Sequence, residues 1–177
     1  RVRFLGIFTS NLDEFFMKRV GGLLRQLAAG VRLRTTDGYS LQNLVGEIRA
    51  KVLEMLKQQA NCYTKEILPQ LSLHDIFLLN WEDLSRKEHK RAAEYFKTQV
   101  FPVLTPLAVD PGHPFPFISN LSTSLGVLLR NPERNEEHFA RVKIPKVLPQ
   151  WILLSQNPDV EGFRFVSLLV LIRDNIH

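Results

Sequence analysis

The sequence predicts an α+β protein in two parts. Antiparallel helices are expected over residues 1–72, followed by an α+β part over residues 73–177 with a small antiparallel sheet. Apolar residues recur every three to four positions through most of the first part, which is the period of amphipathic helices. Beyond it, short apolar runs, prolines and polar turns dominate, a pattern typical of strands and loops. A chain of 177 residues is long enough to bury a core.

The first part is expected to begin with the end of one helix over residues 2–8 and the start of a second near Asn11. Ser10 and Asn11 are residue types that cap helix N-termini. Each is followed three positions later by an acid, Asp13 or Glu14, the second in the spacing of a capping box. This polar corner among phenylalanines and basic residues fits either a ligand that is aromatic and anionic, such as a nucleotide, or an ordinary helix start.

A third helix is predicted after a polar turn over residues 30–38. It begins at Ser40 and carries apolar residues at helical spacing as far as Ile67. Because proline disfavours the helical state in the residue ahead of it, the helix is expected to end at or just before Pro69.

The second part opens with a strand predicted over residues 76–79. The spacing of Ser85 and Glu88 is that of a capping box, so a helix is expected to begin there. Its core-facing residues should be Ala92, Ala93, Phe96 and Val100.

Five of the ten prolines fall within residues 102–116. Such a stretch cannot form a regular helix or a central strand, so it is predicted to be an ordered loop held by apolar side chains. Strands are predicted over residues 122–129, 139–144 and 163–168, and the polar residues 130–138 should join the first two into a hairpin.

The composition excludes several classes of protein. No apolar run approaches the roughly 20 residues of a membrane-spanning helix. The single cysteine, Cys62, rules out an internal disulfide framework and favours a reducing compartment. The chain starts on Arg1 within an amphipathic pattern and lacks a secretory signal, so we interpret it as a fragment of a longer protein.

The net charge of +5 is concentrated near the start of the chain. Residues 1–34 hold seven of the 23 basic residues and two of the 18 acids, and the remainder is neutral. This distribution indicates either a phosphate-bearing or polyanionic partner near that end, or a solvated helix face. The basic residues are Arg1, Arg3, Lys18, Arg19, Arg25, Arg32 and Arg34.

No complete catalytic constellation is visible. The sequence lacks a P-loop, a dinucleotide-binding glycine motif, a zinc-protease motif and a nucleophile elbow. Surface or turn roles are expected for the histidines, and Cys62 is expected to be a small buried residue rather than a reactive thiol. The histidines are His74, His89, His113, His138 and His177.

Two long stretches resemble the large bacterial polyphosphate kinases, the phosphohistidine type. Residues 3–20, which contain the string SNLDEFF, resemble the N-terminal signature of that family. Residues 101–122, which contain FPVLTPLAVDPGHPFPF, resemble its next domain, and residues 139–149 fit as well. One departure lies at residues 168–172, where the family has acids and this chain has none before Asp174. That departure leaves the position of the last helix open.

The resemblance implies reversible transfer of the terminal phosphate of ATP to inorganic polyphosphate. It implies that residues 1–72 form the helical N domain and that residues 73–177 form part of the head domain. It implies that Asn11 contacts the nucleotide base. The phosphorylated histidine, the Mg²⁺ ligands and the main phosphate-binding arginines are expected outside this chain. No residue of this chain is therefore predicted to be catalytic or to bind a metal ion.

The same resemblance implies ATP or ADP and polyphosphate as partners, a homo-oligomer to which the head domain contributes contacts, and no specific nucleic acid. It implies a cytoplasmic location, with peripheral membrane association as a further option. Two alternatives stay open: a basic helical module that binds RNA or another polyanion, and a dimerisation module without a ligand.

Overall fold

A computed structural model describes residues 1–31, 38–131, 136–155 and 162–176. The chain divides into two compact units, Arg1–Leu71 and Ser72–His177. The first is helical, and the second combines helices with two three-stranded sheets. This composition confirms the predicted α+β class. Within the described residues, no helix is long and apolar enough to cross a membrane.

The first helical segment runs from residue 2 to residue 28 without a break. It consists of α1 (Val2–Phe15), a π-helical turn (Phe16–Val20) and α2 (Gly21–Ala28). The prediction that a new helix begins near Asn11 is therefore wrong, because Asn11 lies inside α1.

The apolar periodicity explains why Ser10 and Asn11 do not cap a helix. An N-cap residue has an extended backbone, whereas residues 10 and 11 are helical. Apolar residues at positions 4, 8, 12 and 15 keep one face of the helix continuous across this point. Thr9 fits the helix because its hydroxyl donates a hydrogen bond to the Leu5 carbonyl oxygen at 3.0 Å.

The second helical segment comprises α3 (Leu41–Cys62), a π-helical turn (Tyr63–Ile67) and α4 (Leu68–Leu73). Its predicted start is confirmed, because the Ser40 hydroxyl accepts a hydrogen bond of 3.2 Å from the backbone N–H of Asn43. The turn predicted over residues 30–38 lies largely outside the described residues.

The prediction that the helix ends before Pro69 is wrong. Pro69 is the second residue of α4. The preceding π-helical turn pairs the Leu68 N–H with the Tyr63 carbonyl oxygen, five residues back. This widened turn accommodates the proline, which has no N–H of its own to pair.

The first sheet of the second unit is mixed. It contains β1 (Ile76–Leu79), β5 (Trp151–Leu153) and β6 (Phe163–Ser167), in the order β1-β6-β5. β1 pairs with β6 in parallel, starting at Ile76 opposite Phe163, and β5 pairs with β6 antiparallel. The parallel pair is an addition to the small antiparallel sheet that the sequence predicts.

The second sheet is antiparallel and contains the predicted hairpin. β3 (Ser124–Asn131) pairs with β4 (Glu136–Lys143) along its length, and β2 (Pro106–Val109) lies on the other side of β4. β2 is thus an edge strand with proline at its first position, which is where a strand tolerates proline. The centre of the turn between β3 and β4 lies outside the described residues.

Helix α5 (Arg86–Tyr95) continues through a π-helical turn to Val100. The predicted capping box is present: the Ser85 hydroxyl accepts from the Glu88 N–H, and the Glu88 carboxylate accepts from the Ser85 N–H. Of the residues predicted to face the core, Ala93 is exposed. The other three, Ala92, Phe96 and Val100, are buried.

The core of the second unit joins α5 to the mixed sheet and to α6 (Leu168–Arg173). Leu168, Leu171 and Ile172 of α6 are fully buried beside Val166 of β6. α6 begins at Ser167, whose hydroxyl accepts from the Val170 N–H at 3.2 Å. The acid-free residues 168–172 therefore form the apolar helix that closes this core.

Apolar side chains hold only part of the proline-rich segment. Leu104 packs against the core of the second unit, and the centroid of the Phe115 ring lies 6.1 Å from that of Phe139. The side chains of Phe117 and Ile118, which follow, are exposed. Polar contacts also fix the segment. The backbone N–H groups of Gly112 and His113 donate to the Asp110 carboxylate at 2.8 and 2.9 Å.

Candidate functional site

A groove runs between α1 and α3 in the unit Arg1–Leu71 and encloses about 330 Å³. The two helices are antiparallel, because residues further along α1 contact residues that come earlier in the second helical segment. Both helices present apolar residues to the groove because each is amphipathic. The lining consists of Phe8, Asn11, Leu12, Phe15, Ile48, Lys51, Val52 and Met55.

Asn11, the residue predicted to contact a nucleotide base, lies on the α1 side of this groove. Its side chain is exposed. Among the described residues, its amide makes no hydrogen bond, and one N–H₂ group and one carbonyl oxygen are both available. The structure therefore brings Asn11 together with an apolar surface, although the capping role that drew attention to it is absent.

Lys51 contributes a cation to the opposite side of the groove. It lies on α3 and its ammonium group is 2.9 Å from the Glu54 carboxylate, one turn further along the same helix. Both side chains are more than half exposed, so the pair contributes little to stability. Sequence reasoning missed Lys51, because nothing in the spacing of α3 indicates which helix it packs against.

Gln59 ties the two helices together beside the groove. Its side-chain amide donates to the Leu5 carbonyl oxygen at 3.1 Å and to the Thr9 hydroxyl at 2.8 Å. These bonds join α3 to α1 at Thr9, two residues before Asn11. The contacts span 54 and 50 positions, and a glutamine on an amphipathic helix carries no signal for them.

The basic residues near the chain start are only partly available to a ligand. Arg1 pairs with Glu66, and Lys18 pairs with Glu14 one turn before it. The hydrogen bond from Lys18, together with its charge, holds the pKa of Glu14 below its usual value. Arg3, Arg19 and Arg25 are exposed, whereas Arg32 and Arg34 lie outside the described residues.

The histidines have the surface and turn positions that the sequence suggests, with one exception. His74, His113 and His138 are exposed, and His113 contacts the Asp110 carboxylate at 3.0 Å. That contact lowers the pKa of Asp110. His89 is half-buried with its ring edge-on to Trp81, at 4.7 Å between centroids.

Two further sequence-based predictions concern His177, which lies outside the described residues, and Cys62, which is half-buried rather than buried. Over the part of the chain that the structure describes, no three His, Cys, Asp or Glu side chains are grouped to hold a metal ion.

The chain has a helical unit that contains the groove, and a second unit of two small sheets and helices. This arrangement defines a two-part α+β protein. The family model described as the polyphosphate kinase N-terminal domain matches residues 1–79, and the polyphosphate kinase middle domain matches residues 87–177. The chain belongs to the polyphosphate kinase family.

Several relatives support this assignment. The chain is 44% identical to polyphosphate kinase 1 of Chlorobaculum tepidum over 99% of its own length and 26% of the relative. It is 46% identical to the polyphosphate kinase of Streptomyces coelicolor over 86% of its length and 20% of the relative. It is 44% identical to the polyphosphate kinase of Mycobacterium tuberculosis over 88% of its length and 21% of the relative. The chain thus spans about a quarter or less of these proteins.

A solved structure has the same fold. The crystal structure of polyphosphate kinase from Porphyromonas gingivalis superimposes with a TM-score of 0.83 at 23% identity. The match covers 99% of this chain and 26% of that one.

Proposed function

We propose that this chain is part of an enzyme that reversibly transfers the terminal phosphate of ATP to inorganic polyphosphate. In it, the α1–α3 groove forms one wall of the nucleotide site. Membership of the polyphosphate kinase family supports the reaction. The observation that carries the site is the exposed amide of Asn11 at the edge of an apolar groove.

The chemistry of the groove suits a purine base. Its walls are apolar, and Phe8 and Phe15 lie on the same side as Asn11. A primary amide both donates and accepts, so it complements the adenine edge that carries the exocyclic amine and a ring nitrogen. At about 330 Å³, the groove is near the lower end of the range of about 300–1,000 Å³ for ligand pockets. It suits a base, while the phosphates would extend beyond it.

The phosphoryl transfer itself is proposed to take place on parts of the enzyme outside this chain. The phosphorylated histidine, the Mg²⁺ ligands and the phosphate-binding arginines are assigned there, and the isolated chain should be inactive. None of the five histidines is assigned a catalytic role. Positioning and charge neutralisation dominate phosphoryl transfer, so a wall that orients the base contributes to the reaction without touching the phosphate.

Homo-oligomer contacts are proposed for the unit Ser72–His177. Phe117 is 88% exposed, and Leu121 and Leu128 are each more than half exposed. Exposed apolar side chains of this kind mark interaction surfaces when they are contiguous. Because ATP is the proposed phosphate donor, we also propose a cytoplasmic location, with peripheral membrane association as an alternative.

The test of the nucleotide site is Asn11→Ala in the complete protein that carries this chain. Losing two hydrogen bonds to the base should raise the KM for ATP about tenfold and leave kcat nearly unchanged. Asn61→Ala is the matched control, because Asn61 is an exposed asparagine of α3 outside the groove lining. Steady-state kinetics of polyphosphate synthesis measure both variants.

Base specificity sharpens this test. Inosine triphosphate carries a 6-oxo group in place of the exocyclic amine, so the wild type should prefer ATP and Asn11→Ala should lose most of that preference. An ATP dependence identical in wild type and Asn11→Ala would remove Asn11 from the site. Absence of polyphosphate synthesis by the complete wild-type protein would refute the proposed reaction.

A further inference from the structure

The solvent-facing side of α5 and the turn after it carries a dense group of cations, here called the α5 cationic face. All five side chains are exposed. None pairs with a carboxylate among the described residues, whose ion pairs all involve other cations. Its members are Arg86, Lys87, Lys90, Arg91 and Lys97.

The acidic residues of α5 balance only a small part of the charge of this face. Of the two acids on α5, Glu88 is turned to the interior and is held there by Arg164, whose Nε lies 2.6 Å from Oε1. Only Glu94 remains on the exposed side of α5. The charge count of the sequence hides this arrangement, because residues 35–177 as a whole are neutral.

The geometry of the face is linear. Residues three, four or seven positions apart lie on one side of a helix. Lys90 is three positions after Lys87 and Lys97 is seven after Lys90, so the three lysines follow the helix axis. At 1.5 Å per residue, the face from Arg86 to Lys97 extends about 16 Å. A row of this length presents its charges in sequence to a chain-like polyanion rather than converging on one small ion.

A groove of about 790 Å³ runs along this face. Arg91 within it is fixed in place, because its Nη1 donates to the Leu154 carbonyl oxygen at 2.7 Å. Fixing a guanidinium in advance reduces the entropy lost when an anion binds. The groove is lined by Lys87, Lys90, Arg91, Glu94, Tyr95, Thr98 and Gln99.

We propose that the α5 cationic face binds inorganic polyphosphate, laid along the helix axis, as a contact for the polymer additional to the reaction centre. Phosphate oxygens would pair with the lysines and Arg91, and Thr98 and Gln99 supply neutral donors. The identity of the polymer rests on the proposed function, whereas the preference for a linear polyanion rests on the face itself.

The lining favours a polymer of phosphates alone over a nucleic acid. Proteins that bind single-stranded nucleic acids add exposed aromatic rings on which bases stack. The single aromatic residue of this lining is Tyr95, which is half-buried. Cations without a stacking surface suit a polymer without bases.

The test measures binding of long-chain sodium polyphosphate to the complete protein by equilibrium dialysis, without ATP, over a series of salt concentrations. Lys87→Gln, Lys90→Gln and Lys97→Gln are combined in one variant. Affinity near 0.1 M salt should fall about tenfold or more, and its dependence on salt should become shallower, because fewer counterions are released. Arg91 is kept, since its bond to Leu154 is structural.

Two further variants control for fold and for total charge. Lys57→Gln, Lys143→Gln and Lys146→Gln remove the same charge from exposed lysines elsewhere and should change affinity less than about twofold. Lys87→Arg, Lys90→Arg and Lys97→Arg keep the charge and should retain wild-type affinity within about twofold. Circular dichroism confirms that all three variants fold alike.

Equal losses in the two glutamine variants would overturn the proposal, as would wild-type affinity in the first. Single-stranded RNA that displaces polyphosphate at a lower concentration of phosphate groups would also overturn it, in favour of a nucleic-acid surface. These binding results can be distinguished from a failure of the proposed reaction. A wild type that makes no polyphosphate but shows the expected losses refutes only the reaction, and one that makes polyphosphate without these losses refutes only the α5 cationic face.

Discussion

Glu88 on α5 and Arg164 on β6 form a buried ion pair between residues 76 positions apart, with Nε–H donating to Oε1 at 2.6 Å. The Glu88 side chain is 5% exposed and also accepts the Ser85 N–H at 2.8 Å. The Arg164 guanidinium stacks over the Phe77 ring at 5.7 Å. One pair thus joins the start of α5 to two strands of the mixed sheet.

The first prediction concerns this pair. Burial raises the pKa of the Glu88 carboxyl, but the hydrogen bonds from Arg164 and Ser85 outweigh it and leave that pKa below its usual value. Glu88→Gln leaves the Arg164 charge without a carboxylate in a largely buried place. We expect it to lower the free energy of unfolding at pH 7 by about 3 kcal/mol, measured by urea denaturation. Glu94→Gln on the exposed side is the control and should stay within about 0.5 kcal/mol.

The pH dependence follows from the sign of that shift. A carboxyl whose pKa is lower in the folded state stabilises the protein above its unfolded pKa of about 4.3. This contribution is lost as the pH falls through the lower folded value. The difference between wild type and Glu88→Gln should therefore be full at pH 7 and shrink below about pH 4. A difference that stays constant down to pH 3 would contradict the assignment.

The second prediction concerns the start of the β1–β6 pair, where Gly162 lies against Asp75. Gly162 has a φ of +66°, and a Cβ placed there would lie 2.4 Å from the Asp75 carbonyl oxygen. The Phe163 N–H donates to the same oxygen at 2.6 Å, so the backbone cannot easily retreat. Gly162→Ala should destabilise the protein by about 2–4 kcal/mol in thermal or urea unfolding.

Gly46→Ala is the matched control. Gly46 lies within α3, and a Cβ there would meet no atom within 4 Å. Because alanine is the better helix former, this change should stabilise the protein by up to about 1 kcal/mol. Similar losses in both variants would show that the close approach at Gly162 is not the cause.

Local patterns predicted much of this fold. The capping box of Ser85 and Glu88 and the helix start at Ser40 depend on atoms three residues apart, so the sequence contains the whole interaction. The hairpin of β3 and β4 was likewise predictable from apolar, strand-like segments on either side of a polar turn.

Long-range contacts were not predictable in this way. Nothing near Glu88 indicates that Arg164 is its partner, and nothing near Asn11 indicates that α3 forms the other wall of its groove. At Pro69 a local pattern gave the wrong prediction. Proline is expected to end a helix, but the wider π-helical turn before it lets the helix continue. Asn11 itself was selected through a capping pattern that the fold does not use, and the family resemblance kept it as the site residue.

The last prediction separates the structural role of Asn11 from its proposed role in binding. As an interior residue of α1, Asn11 lowers helix stability relative to alanine. Asn11→Ala should therefore raise the free energy of unfolding by up to about 0.5 kcal/mol. If Asn11 were an N-cap, the same change would cost about 1 kcal/mol. Ser40→Ala, which removes a cap bond that the structure does contain, should show that loss. Urea unfolding of the three proteins side by side decides between these outcomes, and a gain in stability for Asn11→Ala would mean that any rise in its KM for ATP comes from the groove and not from a weakened fold.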